Sequence, residues 1–421
     1  MHGADDPRAM GEYLRNLTMD VTSLTPTNNG SLFNIYFDNG GTTPPLKSVV
    51  AETEEYTPWY KYVAANSLKA EFLTALYEQG RTTIKRFVGA DMELDTAAYT
   101  KNTTEAINIL SNVVRLRMGC ERPVVITTYM EHMSNYLPWK FRFDTVLAGL
   151  TPDGRLSMAD LERKLCQYRG RVALVAVTGA SNVTGYVNPI HDIARLAHHY
   201  GAEIFVDAAQ LVQHRNICMT PADPAERIDY LAFSAHKIYA PFFSGVLIGP
   251  RKVFDEALPL YFGAGMASSI TEDDIVFKDG PARYEAGSQN LLGAIALCCA
   301  LLTIERTGMH AIQKHESGLL AYGTELLSRI PAVIQYGDTN CLTDRVPIIS
   351  FNVRGKTPEQ TGAYLYDDYG IILKNGTCGA NLYVEKLTQG SPYAGVVRIS
   401  MALFNQRFEL ERLAEALEQY R

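Results

Sequence analysis

Four short, unbroken apolar runs with helical patterns between them constrain this chain more than any other feature. They are Val124-Val125-Ile126-Thr127, Val172-Ala173-Leu174-Val175-Ala176-Val177, Glu203-Ile204-Phe205-Val206 and Tyr230-Leu231-Ala232-Phe233. Runs without polar alternation suit strands buried on both faces, as in a parallel sheet covered by helices. A helical pattern over 189–200 opens on Pro189 and stops at Gly201. Strand and helix alternating in this way predict an α/β domain with a mainly parallel central sheet. Ligands in such sheets bind beyond the carboxyl ends of strands. Asn182, Asp207 and Lys237 each fall just after one of the runs.

Asp207 and Lys237, placed after successive strands, suit a pyridoxal phosphate site. A Lys amine forms a Schiff base with the cofactor aldehyde, and an Asp carboxylate pairs with the ring nitrogen and keeps it protonated. The ring then takes up electrons from a substrate α-carbon. Taken singly, Lys237 also reads as a solvated surface Lys and Asp207 as a satisfied buried carboxylate. Asn102-Thr103-Thr104-Glu105 precedes a helical pattern with apolar residues at 106, 107, 110, 113 and 114. Asn102 is a good N-cap, and Glu105 three residues on fits a capping box. The free amides and Thr hydroxyls there suit a phosphate, or serve only to cap a helix. His132 follows a strand and is placed to lie on a cofactor ring or to be structural. Asn182 reads as a contact to the ring oxygen or as a turn residue. Ser234 and His236 flank Lys237 closely enough to reach a phosphate.

At 421 residues the chain is too long for one ordinary core, and two domains are expected. The division expected is an N-terminal segment over 1–30 packing on the surface, a large cofactor-binding domain over 31–290, and a smaller α+β domain over 291–421. Helices are expected at about 68–88, 291–304, 308–329, 358–369 and 406–420, with strands at 35–38, 346–353 and 395–401. A net charge of −7 without a basic stripe argues against a nucleic-acid surface. The longest apolar run, 291–304, is short for a membrane span. Met1-His2-Gly3-Ala4-Asp5-Asp6 has neither a basic start nor an apolar stretch, so no signal peptide is expected. Seven Cys, at 120, 166, 218, 298, 299, 341 and 378, show no metal-ligand spacing. Reduced thiols in a cytoplasmic protein, with no metal, are the expectation.

The chain resembles the class V aminotransferase-fold pyridoxal phosphate enzymes, nearest to the cysteine desulfurase and selenocysteine lyase branch. The resemblance runs from about Tyr36 to the C-terminus. It rests on Phe37-Asp38-Asn39-Gly40-Gly41, Asn102-Thr103-Thr104-Glu105-Ala106-Ile107-Asn108, Met130-Glu131-His132, Ser181-Asn182-Val183-Thr184-Gly185, Val206-Asp207-Ala208-Ala209-Gln210, Phe233-Ser234-Ala235-His236-Lys237, Tyr284-Glu285-Ala286-Gly287-Ser288 and Val397-Arg398-Ile399-Ser400. It implies the fold type I architecture of pyridoxal phosphate-dependent transferases. By that resemblance Lys237 is the covalent anchor, Asp207 pairs with the ring nitrogen, and His132 stacks on the ring and takes part in catalysis. Asn182 and Gln210 contact the ring oxygen, and Thr103, Thr104, Ser234 and His236 hold the phosphate. Ser288 is expected to reach the phosphate of a neighbouring subunit, which implies a homodimer with shared sites. Arg398 is expected to hold the substrate carboxylate, a task suited to a two-pronged guanidinium.

Desulfurases of this branch use a Cys on a mobile loop, which takes sulfur from substrate cysteine and releases alanine. The matching segment here is Leu373-Lys374-Asn375-Gly376-Thr377-Cys378-Gly379-Ala380. Lys374 stands where an Arg is common, as a substrate-binding cation. Cys378 arrives one residue early in a gapless count, and Gly379 falls where the family's Cys would be. Cys378 is therefore either the sulfur acceptor or a buried loop thiol. The expected function is C–S cleavage of cysteine or a derivative, with an acceptor protein as a possible partner. A class V aminotransferase, an epimerase without thiol chemistry, and a sulfur-relay or docking protein are the alternatives.

Overall fold

The computed structural model describes residues 7–62, 65–118 and 121–420, with side chains from residue 10 onward. Residues 1–6 of the expected N-terminal segment, and Cys120, lie outside the described residues.

The apolar runs become the centre of a seven-stranded sheet. Its strands are β1 (Asp95–Thr100), β2 (Val124–Thr128), β3 (Asp144–Ala148), β4 (Val172–Thr178), β5 (Glu203–Asp207), β6 (Tyr230–Ser234) and β7 (Gly245–Pro250). In space they run β1-β7-β6-β5-β4-β2-β3. The pairs β2–β3, β2–β4, β4–β5 and β5–β6 are parallel, and only β7 runs against its neighbours. Register sets Thr178 beside Asp207 and Asp207 beside Ala232, so the strand ends line up in one row.

Alternate residues of each strand enter different cores. Val124, Ile126, Val175, Val177, Ile204 and Val206 face one core, and Val125, Leu174, Ala176, Phe205 and Ala232 face another. Burial on both faces is why these strands read as unbroken apolar runs rather than alternating ones. On the first face lie the helices Leu68–Phe87 and Leu291–Thr307, the latter buried at Leu291, Ala294, Leu297, Leu301 and Ile304. Helix Thr103–Met118 covers the other face through Ile107, Leu110 and Val114.

A second sheet of four strands holds β8 (Val333–Tyr336), β9 (Ile348–Val353), β10 (Lys374–Gly376) and β11 (Val396–Ser400), in the order β8-β9-β11-β10. Its pairings are antiparallel. Helices Met309–Ser328, Pro358–Tyr369 and Arg407–Gln419 pack on it through Leu319, Leu320, Leu365, Leu410 and Leu413. The Pro358–Tyr369 helix carries a full capping box between Thr357 and Gln360 and stops at Gly370 with φ 68°. The strand expected near residue 35 is Ile35–Tyr36. It pairs in parallel with Ile371–Ile372, and Ile35 and Phe37 enter the core of this second sheet.

The N-terminal stretch carries more structure than its polar composition suggested. Helix Pro7–Asn16 buries Leu14, and Arg15 pairs with Glu409 at 2.8 Å. A hairpin of Leu24–Thr27 and Gly30–Phe33 follows.

Arg345 joins the two sheets. It is 2% exposed, and its Nε, Nη1 and Nη2 donate to the carbonyls of Thr184, Asp338 and Ile348, each at 2.9 Å. Arg345→Leu leaves buried carbonyls without a partner, at about 1–3 kcal/mol each. The expected result is a loss of roughly 3 kcal/mol or more in urea unfolding. A loss under about 1 kcal/mol would show that water replaces the guanidinium.

Candidate active site

Five strand ends converge on one cavity of about 410 Å³. Its wall includes Asp38, Gly40, Thr103, Thr104, His132, Asn182, Asp207, Gln210, Ser234, His236, Lys237, Lys374, Cys378 and Arg398. Every site residue expected from the sequence is there except Ser288. Ser288 is exposed and lines an adjacent cavity with Tyr99, Lys101 and Glu285.

One end of the cavity is built from hydroxyls around a helix start. Asn102 Oδ1 accepts from the Glu105 amide at 3.0 Å, the expected cap. Glu105 reaches back one residue further than a capping box requires, to the Lys101 amide at 2.6 Å. Thr103 donates its amide to Ser234 Oγ at 2.8 Å and shares a hydroxyl contact with it at 2.7 Å. Thr104 meets Ser134 at 2.8 Å, and His236 Nδ1 meets Thr42 Oγ1 at 3.0 Å. A Cβ on Gly245 would lie 2.8 Å from Asn102 Cα, so β7 starts against the helix end with no room for a side chain. A helix N-terminus ringed by hydroxyls suits a dianionic phosphate.

At the centre lie Asp207 and Lys237. Burial pushes the Asp207 carboxyl up, while the Ala209 amide (3.0 Å) and the Lys237 charge pull it back. Burial brings the Lys237 amine down to about 8, with Asp207 opposing the shift and Arg398 adding to it. The neutral amine is therefore a minority of about a tenth at pH 7, far more than an ordinary Lys has, and becomes the main form above about pH 8. Burial, then the charges of Lys237 and Arg398, lower His132 to about 4. Its Nδ1 accepts from the Ser134 amide at 3.2 Å, which assigns the ring proton to Nε2.

The second sheet supplies the remaining wall. Arg398, on β11, is 2% exposed. Its Nη2 pairs with Asp38, its Nη1 donates to Asn182 O at 3.0 Å, and a Cβ on Gly40 would lie 3.1 Å from its Cζ. Arg398 Nε is buried without a partner among the described residues. Lys374 sits opposite Arg398 in the β10–β11 register. Asn182 Nδ2 donates to Cys378 O at 2.7 Å, and Gln210 Nε2 to Gly40 O at 2.6 Å. Gln210 Oε1 is likewise buried and unpartnered among the described residues.

The turn carrying Cys378 is clamped. Cys378 has φ 51° and Gly379 φ 70°. Gly379 O accepts from the Met133 amide at 2.7 Å. A Cβ on Gly379 would lie 2.3 Å from His132 Nε2. A side chain at 379, where a gapless count places the family's Cys, has no room beside that ring. Cys378 faces the cavity instead. Burial raises its thiol pKa, with Arg398 and Lys374 opposing and Asp38 adding to the rise.

Three contributors were not singled out from the sequence. Asp38 fixes Arg398, and Ser134 orients both Thr104 and His132. Glu131, 1% exposed, accepts from Thr128 Oγ1 and Asn135 Nδ2 at 2.6 Å each and so holds the His132 turn; burial pushes it up to about 8. Their polarity just after strand ends was the available signal.

These residues fit pyridoxal phosphate. An anion cradle, a buried carboxylate and amine between the strand tips, and two orphaned polar atoms at Gln210 and Arg398 match a phosphate, a ring nitrogen, an aldehyde and further polar groups of cofactor and substrate. Among the described residues no cluster of His, Cys, Asp and Glu is arranged to hold a metal.

Residues 35–413 match the aminotransferase class-V family. A cysteine desulfurase of Synechococcus elongatus is 30% identical over 420 residues, covering 99% of this chain and 65% of that protein. The chain thus spans just under two thirds of that relative. A cysteine desulfurase of Dickeya dadantii is 32% identical over 391 residues, covering 91% of this chain and 90% of that one. The apo cysteine desulfurase structure from Thermococcus onnurineus superposes with a TM-score of 0.81 at 31% identity, covering 92% and 94% of the two chains. The cysteine desulfurase CsdA of Escherichia coli reaches 0.83 at 24% identity over 97% and 98%, a likeness of fold.

Two measurements test this geometry. The rate at which the apo protein takes up pyridoxal phosphate, followed by its visible absorption, is expected to rise with pH through about 8 and then level off. A rate still climbing through the ordinary lysine range overturns the low value. Gly379→Ala is expected to weaken cofactor binding by about 1–3 kcal/mol through its clash with His132. Gly390→Ala, at φ 79° in open space, isolates backbone strain and is expected to leave binding unchanged.

Proposed function

This chain belongs to the aminotransferase class-V family, and we propose that it is a pyridoxal phosphate-dependent enzyme cleaving the C–S bond of L-cysteine or a cysteine derivative. The observation that carries this reading is the single cavity whose wall brings Lys237, Arg398 and Cys378 together.

When bound, the cofactor supplies an electron sink for the substrate α-carbon. The protein's own groups do the rest. Thr103, Thr104, Ser234 and His236 would hold the phosphate, Asp207 would keep the ring nitrogen protonated, and Asn182 and Gln210 would orient the ring oxygen. Arg398 would bind the substrate carboxylate through its guanidinium, and Lys374 adds positive charge at the rim. Lys237 Nζ, with its pKa near 8, accepts the α-proton. His132 would lie against the cofactor and move protons at Nε2. Cys378 attacks the substrate sulfur as a thiolate, forming an S–S bond as the C–S bond breaks. Lys237 returns its proton to the α-carbon, the proton given up by the Cys378 thiol replaces sulfur on the β-carbon, and the sulfur left on Cys378 passes to an acceptor, which we take to be a thiol protein.

Ser288 completes the phosphate site of a second copy of the chain in a homodimer. Its exposure supports this, as do the exposed apolar side chains Ile270, Ile275 and Val276 on the hairpin of Ala267–Ile270 and Ile275–Phe277, and Phe262 just before it. Gly287 in the Ser288 segment donates its amide to Ala264 O at 2.8 Å, which ties the two together. A cytoplasmic setting fits the six free cysteines among the described residues. No single described helix is long and apolar enough to cross a membrane.

A second reading is elimination without thiol chemistry, favoured by the burial that holds the Cys378 thiol up. Product analysis separates the two. With L-cysteine and a reductant, the loaded enzyme is expected to give alanine and sulfide, and Cys378→Ser to lose about a hundredfold or more in rate. Pyruvate from both proteins would establish elimination, with Cys378 a bystander. Keto acid and amine-form cofactor would establish transamination.

A further inference from the structure

The segment that carries Ser288 is fixed to the interior by an ion pair with no part in the reaction above. Arg81, on the helix Leu68–Phe87, is 6% exposed and Glu285 7%. The pair is two-pronged, Nη1 to Oε1 at 2.6 Å and Nη2 to Oε2 at 2.8 Å. Glu285 also accepts from the Tyr99 amide at 2.7 Å and from the Tyr77 hydroxyl at 3.0 Å. Arg81 Nη1 donates to Ala97 O at 2.7 Å, and the guanidinium lies 5.1 Å and 4.9 Å from the Tyr77 and Tyr99 ring centres. One buried pair thus clamps three pieces of chain: the helix, β1, and the segment 284–290. Thr103 begins its helix three residues past the end of β1.

The residues on both sides of Ser288 are pinned as well. Gln289 Nε2 donates to Glu285 O and, at 3.1 Å, to Gly287 O. Gly287 takes φ 85° and gives its amide to Ala264 O at 2.8 Å. Ser288 itself points outward from this fixed turn. A buried ion pair adds little stability over an apolar replacement of the same shape, and its distinctive effect is to fix geometry.

We infer that Arg81 and Glu285 form a positioning pair that aims Ser288 at the cofactor phosphate of the partner subunit. The inference rests on the shared-site dimer proposed above. The pair acts across the interface: its loss in one protomer weakens cofactor binding in the other.

Mixed dimers test this. One protomer carries Lys237→Ala, so only the other protomer's site develops the visible absorption of anchored cofactor. Apo mixed dimers are titrated with pyridoxal phosphate. Glu285→Gln placed in the silent protomer is expected to weaken binding at the reporting site about tenfold. Arg81→Lys in the same place, which keeps the charge and loses the fork, is expected to weaken it less. It also serves if the Glu285→Gln chain fails to assemble. Ser288→Ala in the silent protomer is the control for the dimer reading. If Ser288→Ala weakens the reporting site and neither Glu285→Gln nor Arg81→Lys does, the positioning pair is overturned and the shared site stands. If Ser288→Ala has no effect across the dimer, both are overturned.

Discussion

A buried amine and a buried carboxylate at neighbouring strand tips dictate much of what surrounds them. Asp207 ends β5 and Lys237 lies just past the end of β6, where water is scarce and charge is costly. Burial drives both toward their neutral forms, and each charge holds the other partly in place. The sheet makes this workable. Parallel strands end in one row, so each following loop adds a polar group at the same edge: Thr103 after β1, His132 after β2, Asn182 after β4 and Ser234 at the end of β6. The same edge gathers backbone amides and a helix start, which suit negative charge.

The second sheet meets this edge through polar contacts at the cavity itself. Arg398 reaches across to Asn182, Asp38 and Gly40, and Gln210 holds the same glycine from the first sheet. Cys378 and Gly379 are tied by their carbonyls to Asn182 and the Met133 amide. The thiol turn is therefore attached to the residues beneath the cofactor site rather than hanging from the second sheet alone. Arg345, farther from the cavity, repeats this scheme by spending a whole guanidinium on three backbone carbonyls.

Much of this was legible in the chain. The central strands announced themselves because burial on both faces leaves no polar positions, and the helices Leu68–Phe87 and Pro358–Tyr369 fall where helices were expected, at about 68–88 and 358–369. β1, β3 and β7 were not read as strands. Asp95–Thr100 is mostly Ala and Thr, Asp144–Ala148 is a half-exposed edge, and Gly245–Pro250 begins and ends in turn residues. Their strand state comes from pairing with neighbours, which local sequence does not carry. Among site residues, those following apolar runs were found. Asp38 was quoted as part of a motif without a role, because its partner Arg398 lies 360 residues away. The alignment of the 374–380 turn could not be decided by counting. It turns on the space beside His132 Nε2, a fact of packing.

That separation of Asp38 from Arg398 also bears on how the protein is made. The cavity draws its wall from Asp38 and Arg398, 360 positions apart in the sequence, and the two must meet before that wall is complete. Contacts between such distant residues form late, because closing a long loop costs entropy before it gains contacts. During synthesis the large sheet has all its strands well before β11 emerges. A growing chain can thus complete its central sheet, and the hydroxyls around the Thr103 helix start, before β11 brings Arg398 to the cavity.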